Sequence, residues 1–523
     1  MKATHAMLSW LVVALVGVFV VAVVGGLSLF PRLDAAQRVL DHGKPVFSKE
    51  RVLGDRAGIT MISHAVNTLD PIVTPSGTAV AEIPQLVAFM SKKTGLSQPA
   101  VLALLSKNFP HTTALLQAAP LSAATQELPG LVSFLATILH LTPAQVAGAL
   151  KTSFPALYQS IINLPYVTNG WDSVPGTAHL TTFTGSPVRT VPQVRNYFSG
   201  QVIPVLEDQQ THFTALDGNG GVNFLAPLLL VVGIIVIIFG VAMALLARKN
   251  IARELAAAAW CVVIAVGAAV VVVVLALSLF PRLDGGQNLL DQARPAFSPA
   301  RVQGDQAAIT MVSHVVDFAA PVVTPKGGAA SEVPALVAFV SSKTGLPQPK
   351  VLKALTTQFP HATALLEAIP LSSVTSELPG LINFVAKTLK TTPAAVVTTI
   401  KGTWPGLYQS ISNLPYVTNG WYSVPGTAHL TMFNGTSVHT MPQVRTYLAT
   451  DVVPYLATEK GDFRTVDTTW PRLPVFPPLL LVVGIIVILY GALMLVLSLR
   501  KPTRIAVPPA AAPQRAMASA GIR

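Results

Sequence analysis

The chain has 523 residues, of which 51% are hydrophobic and only 11% charged, and its formal net charge is +12. Soluble globular domains carry about 25% charged residues, and the mean hydropathy of this chain is clearly positive at +0.57. This composition excludes an ordinary soluble protein and predicts a mainly α-helical, polytopic membrane protein.

Four apolar runs, at 7–30, 224–246, 256–280 and 478–499, are the predicted transmembrane helices. A span needs about 20 apolar residues, and none of these runs contains Asp, Glu, Lys, Arg or His. The first run ends in LSLFPRLD, as the internal third run does, so we interpret it as an anchor rather than a cleaved signal peptide. Ion-coupled transporters and proton channels usually carry ionisable groups in their spans, so both classes are disfavoured.

The positive charge is concentrated on the short segments between and outside the spans. The N-terminus (1–6), the link (247–255) and the tail (500–523) carry nine Lys and Arg against one acid, Glu254. This distribution follows the positive-inside rule and predicts that both termini and the link are cytoplasmic. The long segments, 31–223 and 281–477, are then extracytoplasmic. Since the charge is explained by topology, no nucleic-acid partner is predicted, and the Pro/Ala-rich tail is predicted to be disordered.

The chain is an internal duplication, because residues 21–200 align with 271–450 at an offset of 250 without a gap. The predicted architecture is therefore four transmembrane helices carrying two tandem homologous helical domains. The single cysteine, Cys261, lies in the third span, so these domains have no disulfide to stabilise them.

A shorter repeat lies within each predicted domain. EIPQLVAF at 82–89 recurs as ELPGLVSF at 127–134, and the second half carries EVPALVAF at 332–339 and ELPGLINF at 377–384. We expect two helical units per domain, at about 82–126 and 127–165 in the first. Each Pro is predicted to lie near the first turn of its helix, with the neighbouring Glu as a helix cap. The Phe-Pro pairs that follow are expected to end a helix.

Further elements are predicted around these units. Residues 48–69 are expected to form an amphipathic helix, residues 178–191 and their counterpart a small β-hairpin, and residues 192–213 a helix broken near Pro204. Between the units and the hairpin, NLPYVTNGW occurs at 163–171 and again at 413–421. Its turn-forming residues favour a structural connector, although a binding loop displayed twice is the alternative.

Under that alternative, the ligand- or partner-binding candidates are the aromatic and amide residues of the connector. They are Tyr166, Asn169, Trp171, Tyr416, Asn419 and Trp421.

No catalytic, metal or cofactor site is predicted. Motifs for a nucleophilic serine and for nucleotide phosphates are missing from the sequence. Three histidines have a counterpart 250 residues on: His64 with His314, His111 with His361, and His179 with His429. We favour structural roles for them over a shared metal site. Capping is likewise favoured over carboxylate catalysis for the repeated glutamates, Glu82, Glu127, Glu332 and Glu377.

These observations predict a non-enzymatic integral membrane protein of the bacterial cell envelope, an accessory or scaffold subunit whose outer domains bind another envelope component. The alternative is binding or transfer of a lipid or other apolar ligand in a cavity between the helical units. The predicted partners are membrane lipids and either another envelope protein or a second copy associating through the spans. Gly233 and Gly240, repeated as Gly484 and Gly491, leave two interpretations equally open: close helix packing in the membrane and lipid-facing glycine.

Overall fold

A computed structural model describes residues 3–44, 46–216, 223–248, 256–294, 297–467 and 472–499. Within these ranges the chain is almost entirely helical and contains no strand, so the predicted mainly α class is confirmed. The predicted disordered tail and nearly all of the predicted cytoplasmic link lie outside the described residues.

The two halves contain equivalent helices in the same order. The first half has α1 (Ala3–Gly26), α2 (Leu29–Gly43), α3 (Lys49–Val73), α4 (Thr78–Thr94), α5 (Gln98–Asn108), α6 (Pro110–Ala118), α7 (Leu121–Leu139), α8 (Pro143–Ser153), α9 (Pro155–Gly170), α10 (Val191–Tyr197), α11 (Ile203–Leu216) and α12 (Leu225–Arg248). The second half has α13 (Ala256–Ala276), α14 (Leu279–Ala293), α15 (Pro299–Val323), α16 (Ala329–Thr344), α17 (Gln348–Gln358), α18 (Pro360–Glu367), α19 (Leu371–Thr388), α20 (Pro393–Thr403), α21 (Pro405–Gly420), α22 (Met441–Tyr447), α23 (Val453–Val466) and α24 (Phe476–Leu499).

Short turns of other helix types complete the fold. Single 3₁₀ turns lie at Pro325–Gly327 and Leu473–Val475. A π-helical turn at Phe198–Val202 joins α10 to α11, where the sequence predicts a break, and Leu448–Val452 is its counterpart. Pro204 is the second residue of α11, just after the first π turn, and its missing N–H and bulky ring disfavour an ordinary α-helix through this point.

The chain divides into two compact units. The membrane unit comprises Met1–Phe30, Phe224–Asp284 and Pro471–Arg523, and the interlocked unit comprises Pro31–Asn223 and Gly285–Trp470. The segments predicted as two tandem domains therefore belong to one compact unit.

Glycines let the helices of the membrane unit pack closely in two pairs, α1 with α12 and α13 with α24. A Cβ on Gly17 would lie 2.7 Å from the carbonyl oxygen of Gly233, and one on Gly240 would lie 2.6 Å from the backbone nitrogen of Ala14. Gly484 and Gly491 make the equivalent contacts in the second pair. The repeated glycines are thus contact residues within the chain, which supports close packing over lipid-facing glycine.

Five described helices are long and apolar enough to cross a membrane, which makes this a membrane protein. They are His5–Gly26, Leu225–Arg248, Ala257–Ala276, Pro299–Val323 and Leu473–Leu499. The fourth of these is α15, in the interlocked unit, and it differs from the others. Its mean hydropathy is 1.3, against 2.8 to 3.2 for the rest, and 61% of it is buried.

Each half of the interlocked unit packs its longest helix on the other half. Helix α3 lies along α21, and the equivalent α15 lies along α9. The Ser410 hydroxyl donates to the Thr68 carbonyl at 2.8 Å, and the Ser160 hydroxyl donates to the Phe318 carbonyl at 2.9 Å. Helices α6 and α18 pack on each other between the two halves. A single hydrophobic core consequently contains residues of both halves.

The repeated glutamates cap helices, but the helices belong to the opposite half of the chain. Glu82 accepts hydrogen bonds from the backbone N–H groups of Gly406 and Leu407, at 3.1 and 2.8 Å, at the start of α21. Glu332 accepts from Ala156 and Leu157 at the start of α9 in the same way. A carboxylate at this position satisfies N–H groups that have no partner within their own helix.

The second pair of repeated glutamates repeats this arrangement at the starts of α18 and α6. Glu127 accepts from the backbone of His361 and Ala362 at the start of α18, and Glu377 accepts from His111 and Thr112 at the start of α6. Four carboxylates therefore fasten the two halves together reciprocally.

The expected position of the neighbouring prolines is wrong. Pro84 and Pro129 lie inside α4 and α7 rather than in the first turn, because both helices begin several residues earlier. The helices capped by the glutamates begin instead at the Phe-Pro or Trp-Pro pairs, where the proline occupies the first turn.

The two predicted hairpins are wrong in extent, since each consists of one isolated bridge, between Thr181 and Pro187 in the first half and between Thr431 and Ser437 in the second. After Val188, whose N–H donates to the Leu180 carbonyl, the second arm of the predicted hairpin no longer pairs with the first. The Arg189 carbonyl accepts from the Val174 N–H at 2.7 Å, and the Val191 N–H donates to the Trp171 carbonyl at 2.9 Å. The backbone groups that would extend the hairpin are thus used elsewhere.

The predicted turn-rich connector is also different, because most of it is helical. Helix α9 continues through Pro165 to Gly170, and α21 through Pro415 to Gly420. The helix persists because Leu164 and Val167 are buried on its inner face, and this burial outweighs the local turn signals.

The reciprocal caps predict a specific loss of stability. Replacing both Glu82 and Glu332 with Gln keeps the side-chain shape but removes the charge that accepts four backbone hydrogen bonds. Because hydrogen bonds to a charged group contribute about 1.5–3 kcal/mol, we expect the double variant to lose about 2–4 kcal/mol. The thermal unfolding midpoint of the full-length protein in mild detergent measures this.

Glu207→Gln is the matched control, because Glu207 forms a surface ion pair with Arg56 at 3.2 Å. Such pairs contribute about 0–1 kcal/mol. An equal shift in the control and the double variant would contradict the capping role.

Candidate ligand cavity and buried charge clusters

An apolar cavity of about 330 Å³ lies where the two halves of the interlocked unit meet. The first half contributes side chains from α3 to α6, and the second half contributes side chains from α19 to α21. Among the residues that the structure describes, no Asp, Glu, Lys, Arg or His lines it. Its lining residues include Leu86, Phe89, Met90, Leu381, Val385 and Trp404.

Two of the reciprocal caps position the wall of this cavity. Leu407, which donates its N–H to Glu82, and Thr112, which donates both N–H and hydroxyl to Glu377, are lining residues. The start of α21 and the start of α6 are therefore fixed by carboxylates that lie on the other half of the chain.

The duplication creates an equivalent cavity on the other side, but its volume is only about 40 Å³. It is lined by Leu157 and Ala362, whose N–H groups are capped by Glu332 and Glu127. One difference between the two linings is Phe318, which occupies the position equivalent to Thr68 and is 3% exposed. A buried phenyl ring in place of a threonine takes up part of the space on that side.

A buried charge cluster on α3 is a feature that the sequence reasoning missed. Asp55 is 4% exposed, lies one helical turn from Arg51, and sits beside the Tyr447 hydroxyl. The Arg51 guanidinium donates to the Met432 carbonyl at 2.8 Å and lies over the Phe433 ring. The cluster therefore attaches the bridged turn of the second half to the long helix of the first.

The same cluster recurs on α15. Arg301 donates to the carbonyls of Thr181 and Thr182, both at 2.9 Å, and Asp305, 3% exposed, lies beside the Tyr197 hydroxyl. The available sequence signal is the repeat of RVLGD at 51–55 as RVQGD at 301–305, which places two charges on an otherwise apolar helix face.

Burial dominates the acidity of both aspartates. It raises the pKa of Asp55 to about 7, against the lowering effects of the Tyr447 hydroxyl and the Arg51 charge. It also raises the pKa of Asp305 to about 7, against the lowering effects of Tyr197 and Arg301. Within the described part of the chain, the Oδ1 atom of each carboxyl has no hydrogen-bond partner, so an ionised carboxylate is poorly solvated there.

The structure separates the six binding candidates of the connector into two groups. Trp171 and Trp421 are fully buried, so neither indole has a surface that a partner could contact. Trp171 Nε1 donates to Asp70 Oδ1 at 2.9 Å. The two indoles are packing residues of the common core.

The remaining connector candidates lie at the surface. Tyr166 and Tyr416 are 60% and 61% exposed, and each stacks on a histidine of the other half, His314 and His64 respectively. Asn169 and Asn419 are also exposed, and Asn419 lies in an open groove with Tyr416. Partner binding by these four residues stays a prediction.

The repeated histidines have other contacts than a metal site. His64 and His314 hydrogen-bond through Nδ1 to the Oδ1 atoms of Asn413 and Asn163, at 2.7 and 2.8 Å. His111 and His361 contact backbone carbonyls of the opposite half. In the part of the chain that the structure describes, no three His, Cys, Asp or Glu side chains form a group that could hold a metal ion.

Comparison with family models, with curated proteins and with solved structures finds no match for this chain. Its function has to be inferred from its own residues.

The buried aspartates predict a stability that depends on pH. An unfolded Asp has a pKa of about 3.9, so between about pH 4 and 7 the folded protein holds protons that the unfolded chain has released. The stability that the two protonated aspartates contribute is complete below about pH 4 and is lost as the pH rises to 7. Each carboxyl should lower the unfolding free energy by about 1.4 kcal/mol per pH unit in that window.

The double variant Asp55→Asn, Asp305→Asn tests this expectation, because Asn imitates the neutral acid. Its thermal midpoint in detergent should vary less between pH 4 and 7 than that of the unchanged protein, whereas the exposed-site control Asp172→Asn should keep the full dependence. An unchanged pH profile in the double variant would show that the carboxyls do not titrate there.

Proposed function

We propose that this protein is a non-enzymatic, multi-pass protein of the bacterial cell envelope that binds an apolar ligand of the lipid class in its interlocked unit. The observation that carries the proposal is the cavity of about 330 Å³ with an uncharged lining. Small-molecule sites begin at about 300 Å³, and an engineered apolar cavity of about 150 Å³ is sufficient to bind benzene.

The energetic cost of an empty cavity supports the same conclusion. Cavity volume destabilises a protein by about 24 cal/mol per Å³, so a void of this size would cost on the order of several kcal/mol. That is a large fraction of the roughly 5–15 kcal/mol by which domains are stable. A bound hydrocarbon chain would restore the missing dispersion contacts.

We further propose four membrane-spanning helices, α1, α12, α13 and α24, with both termini cytoplasmic and the interlocked unit extracytoplasmic. The Lys and Arg distribution supports this orientation. The fifth candidate, α15, carries the buried Arg301 and Asp305 and packs on α9 inside the interlocked unit, which favours a soluble core position. Labelling by a membrane-impermeant maleimide of a cysteine introduced at exposed Asn169, in a Cys261→Ser background, tests the orientation.

Thr68→Phe tests the ligand site, because the second half already accommodates Phe318 at the equivalent position with the same backbone hydrogen bond. The full-length protein in lipid nanodiscs is irradiated with a hexadecane chain carrying a diazirine, and the labelled peptides are identified by mass spectrometry. We expect adducts on the cavity helices α4 and α19 of the unchanged protein. The variant should give clearly fewer adducts, because the phenyl ring takes up part of the space.

The transmembrane helices serve as the internal control, since they contact lipid in both proteins and their labelling should not change. Phe318→Thr is the matched variant and should create new adducts beside α7 and α9. Equal labelling of the cavity helices in the unchanged protein and Thr68→Phe, or none in either, would contradict the proposal. If another envelope protein then co-purifies with both the unchanged protein and Thr68→Phe, the scaffold function becomes the better explanation.

A further inference from the structure

Two exposed lysines lie beside aromatic rings in the wall of the large cavity. Lys93 Nζ is 5.8 Å from the centroid of the Phe89 ring, and Lys401 Nζ is 5.6 Å from the centroid of the Tyr408 ring. Both rings line the cavity. Within the described residues, neither lysine forms an ion pair. Two unpaired positive charges are therefore available next to an apolar space.

The two lysines lie on the same side of the cavity. The Phe89 ring meets the Trp404 ring edge-on, with the ring centroids 5.4 Å apart, and Trp404 follows Lys401 by three residues. Thr399, two residues before Lys401, lines the cavity and is itself exposed. The cavity thus reaches the protein surface beside Lys401, and a ligand that fills it can present one end there.

Positive charge is greater on this side of the fold than on the equivalent side. The helices that line the large cavity lie in segments 78–118 and 371–420, which carry six lysines against two acids. The equivalent segments, 328–368 and 121–170, carry four lysines against three acids. Three of the six lysines, Lys92, Lys387 and Lys390, have an uncharged or histidine counterpart, namely Ser342, Thr137 and His140. The larger cavity is therefore accompanied by the larger positive charge.

The acids of these segments do not neutralise the lysines beside the cavity. Glu82 and Glu377 accept hydrogen bonds from backbone N–H groups at the starts of α21 and α6. The third acid of the equivalent segments, Glu367, follows Leu366, which lines the small cavity. The electrostatic environment of the large cavity consequently favours an anion at its surface.

We propose that the cavity ligand is an anionic amphiphile, whose hydrocarbon chain occupies the apolar cavity and whose phosphate or carboxylate headgroup lies at Lys93 and Lys401. This inference rests on the proposed binding of an apolar ligand and specifies its headgroup. The headgroup stays at the surface because burying an unpaired charge in an apolar lining is costly. Lysine suits this position, since its ammonium group is a compact charge on a flexible stem that adapts to either anion.

The double variant Lys93→Gln, Lys401→Gln removes both charges and keeps polar side chains at the surface. The full-length protein in nanodiscs of zwitterionic phosphatidylcholine is labelled with the diazirine hydrocarbon. Sodium hexadecyl phosphate, sodium palmitate, methyl palmitate and hexadecane then compete for the cavity. In the unchanged protein, the better of the two anionic competitors should outperform methyl palmitate and hexadecane. The double variant should weaken it by about 5- to 30-fold relative to hexadecane, as expected for two exposed ion pairs.

Lys151→Gln, Lys343→Gln is the matched control, because these lysines occupy the equivalent positions of the duplicated fold. Its ratio of anionic competitor to hexadecane should equal that of the unchanged protein, and comparing ratios between proteins cancels the different partitioning of the competitors into the membrane. An equal loss in the control would show that overall charge, and not this site, attracts the anion, which contradicts the proposal.

Other outcomes separate the headgroup from the chain. The same ratio in the unchanged protein and in Lys93→Gln, Lys401→Gln would overturn the headgroup assignment and leave apolar binding intact. Failure of hexadecane and of all three amphiphiles to compete in any of the proteins would instead overturn the proposed function. Inorganic phosphate displacing the probe as well as hexadecyl phosphate does would show that no chain is needed, and would contradict an amphiphilic ligand.

Discussion

Reciprocal capping by four glutamates is the interaction on which the rest of this structure depends. Each carboxylate lies on one half of the chain and satisfies the first N–H groups of a helix on the other half. Neither half contains both the caps and the helices that the caps stabilise. The buried charge clusters on α3 and α15 also join the two halves, since the arginine of each cluster donates to a backbone carbonyl in the bridged turn of the opposite half. Folding of the two halves is therefore coupled, and the cavity exists only where they meet.

Duplication produced two equivalent spaces, and side-chain divergence has given them different volumes. Phe318 lines the smaller space, whereas Thr68 lines the larger one at the equivalent position. The backbone around the two positions is held by the same serine hydrogen bond. A chain with two identical halves could not make this distinction. The asymmetry is consistent with one half-site specialised for binding and the other retained for packing.

The sequence predicted the helices well because their signals are local. Ser48 and Thr142 are the N-caps of α3 and α8, and Asn108 and Ser153 end α5 and α8 immediately before the Phe-Pro pairs. Capping chemistry was likewise evident in the repeated glutamates. The identity of the capped helix was not, because Glu82 and Gly406 are 324 residues apart and no local pattern joins them. The connector at Pro165 was misjudged for a related reason, since its turn residues are overridden by burial against the other half. The cavity depends on such long-range contacts entirely.

The most direct test of this account is to express the two halves as separate chains, divided within residues 249–255. Because each half supplies the caps of the other, we expect the co-expressed halves to purify in a one-to-one complex whose tryptophan fluorescence and unfolding midpoint match the intact protein. A half expressed alone should not give a folded monomer. Recovery of either half as a stably folded monomer, with its helices intact and no tendency to join the other half, would contradict the interlocked arrangement.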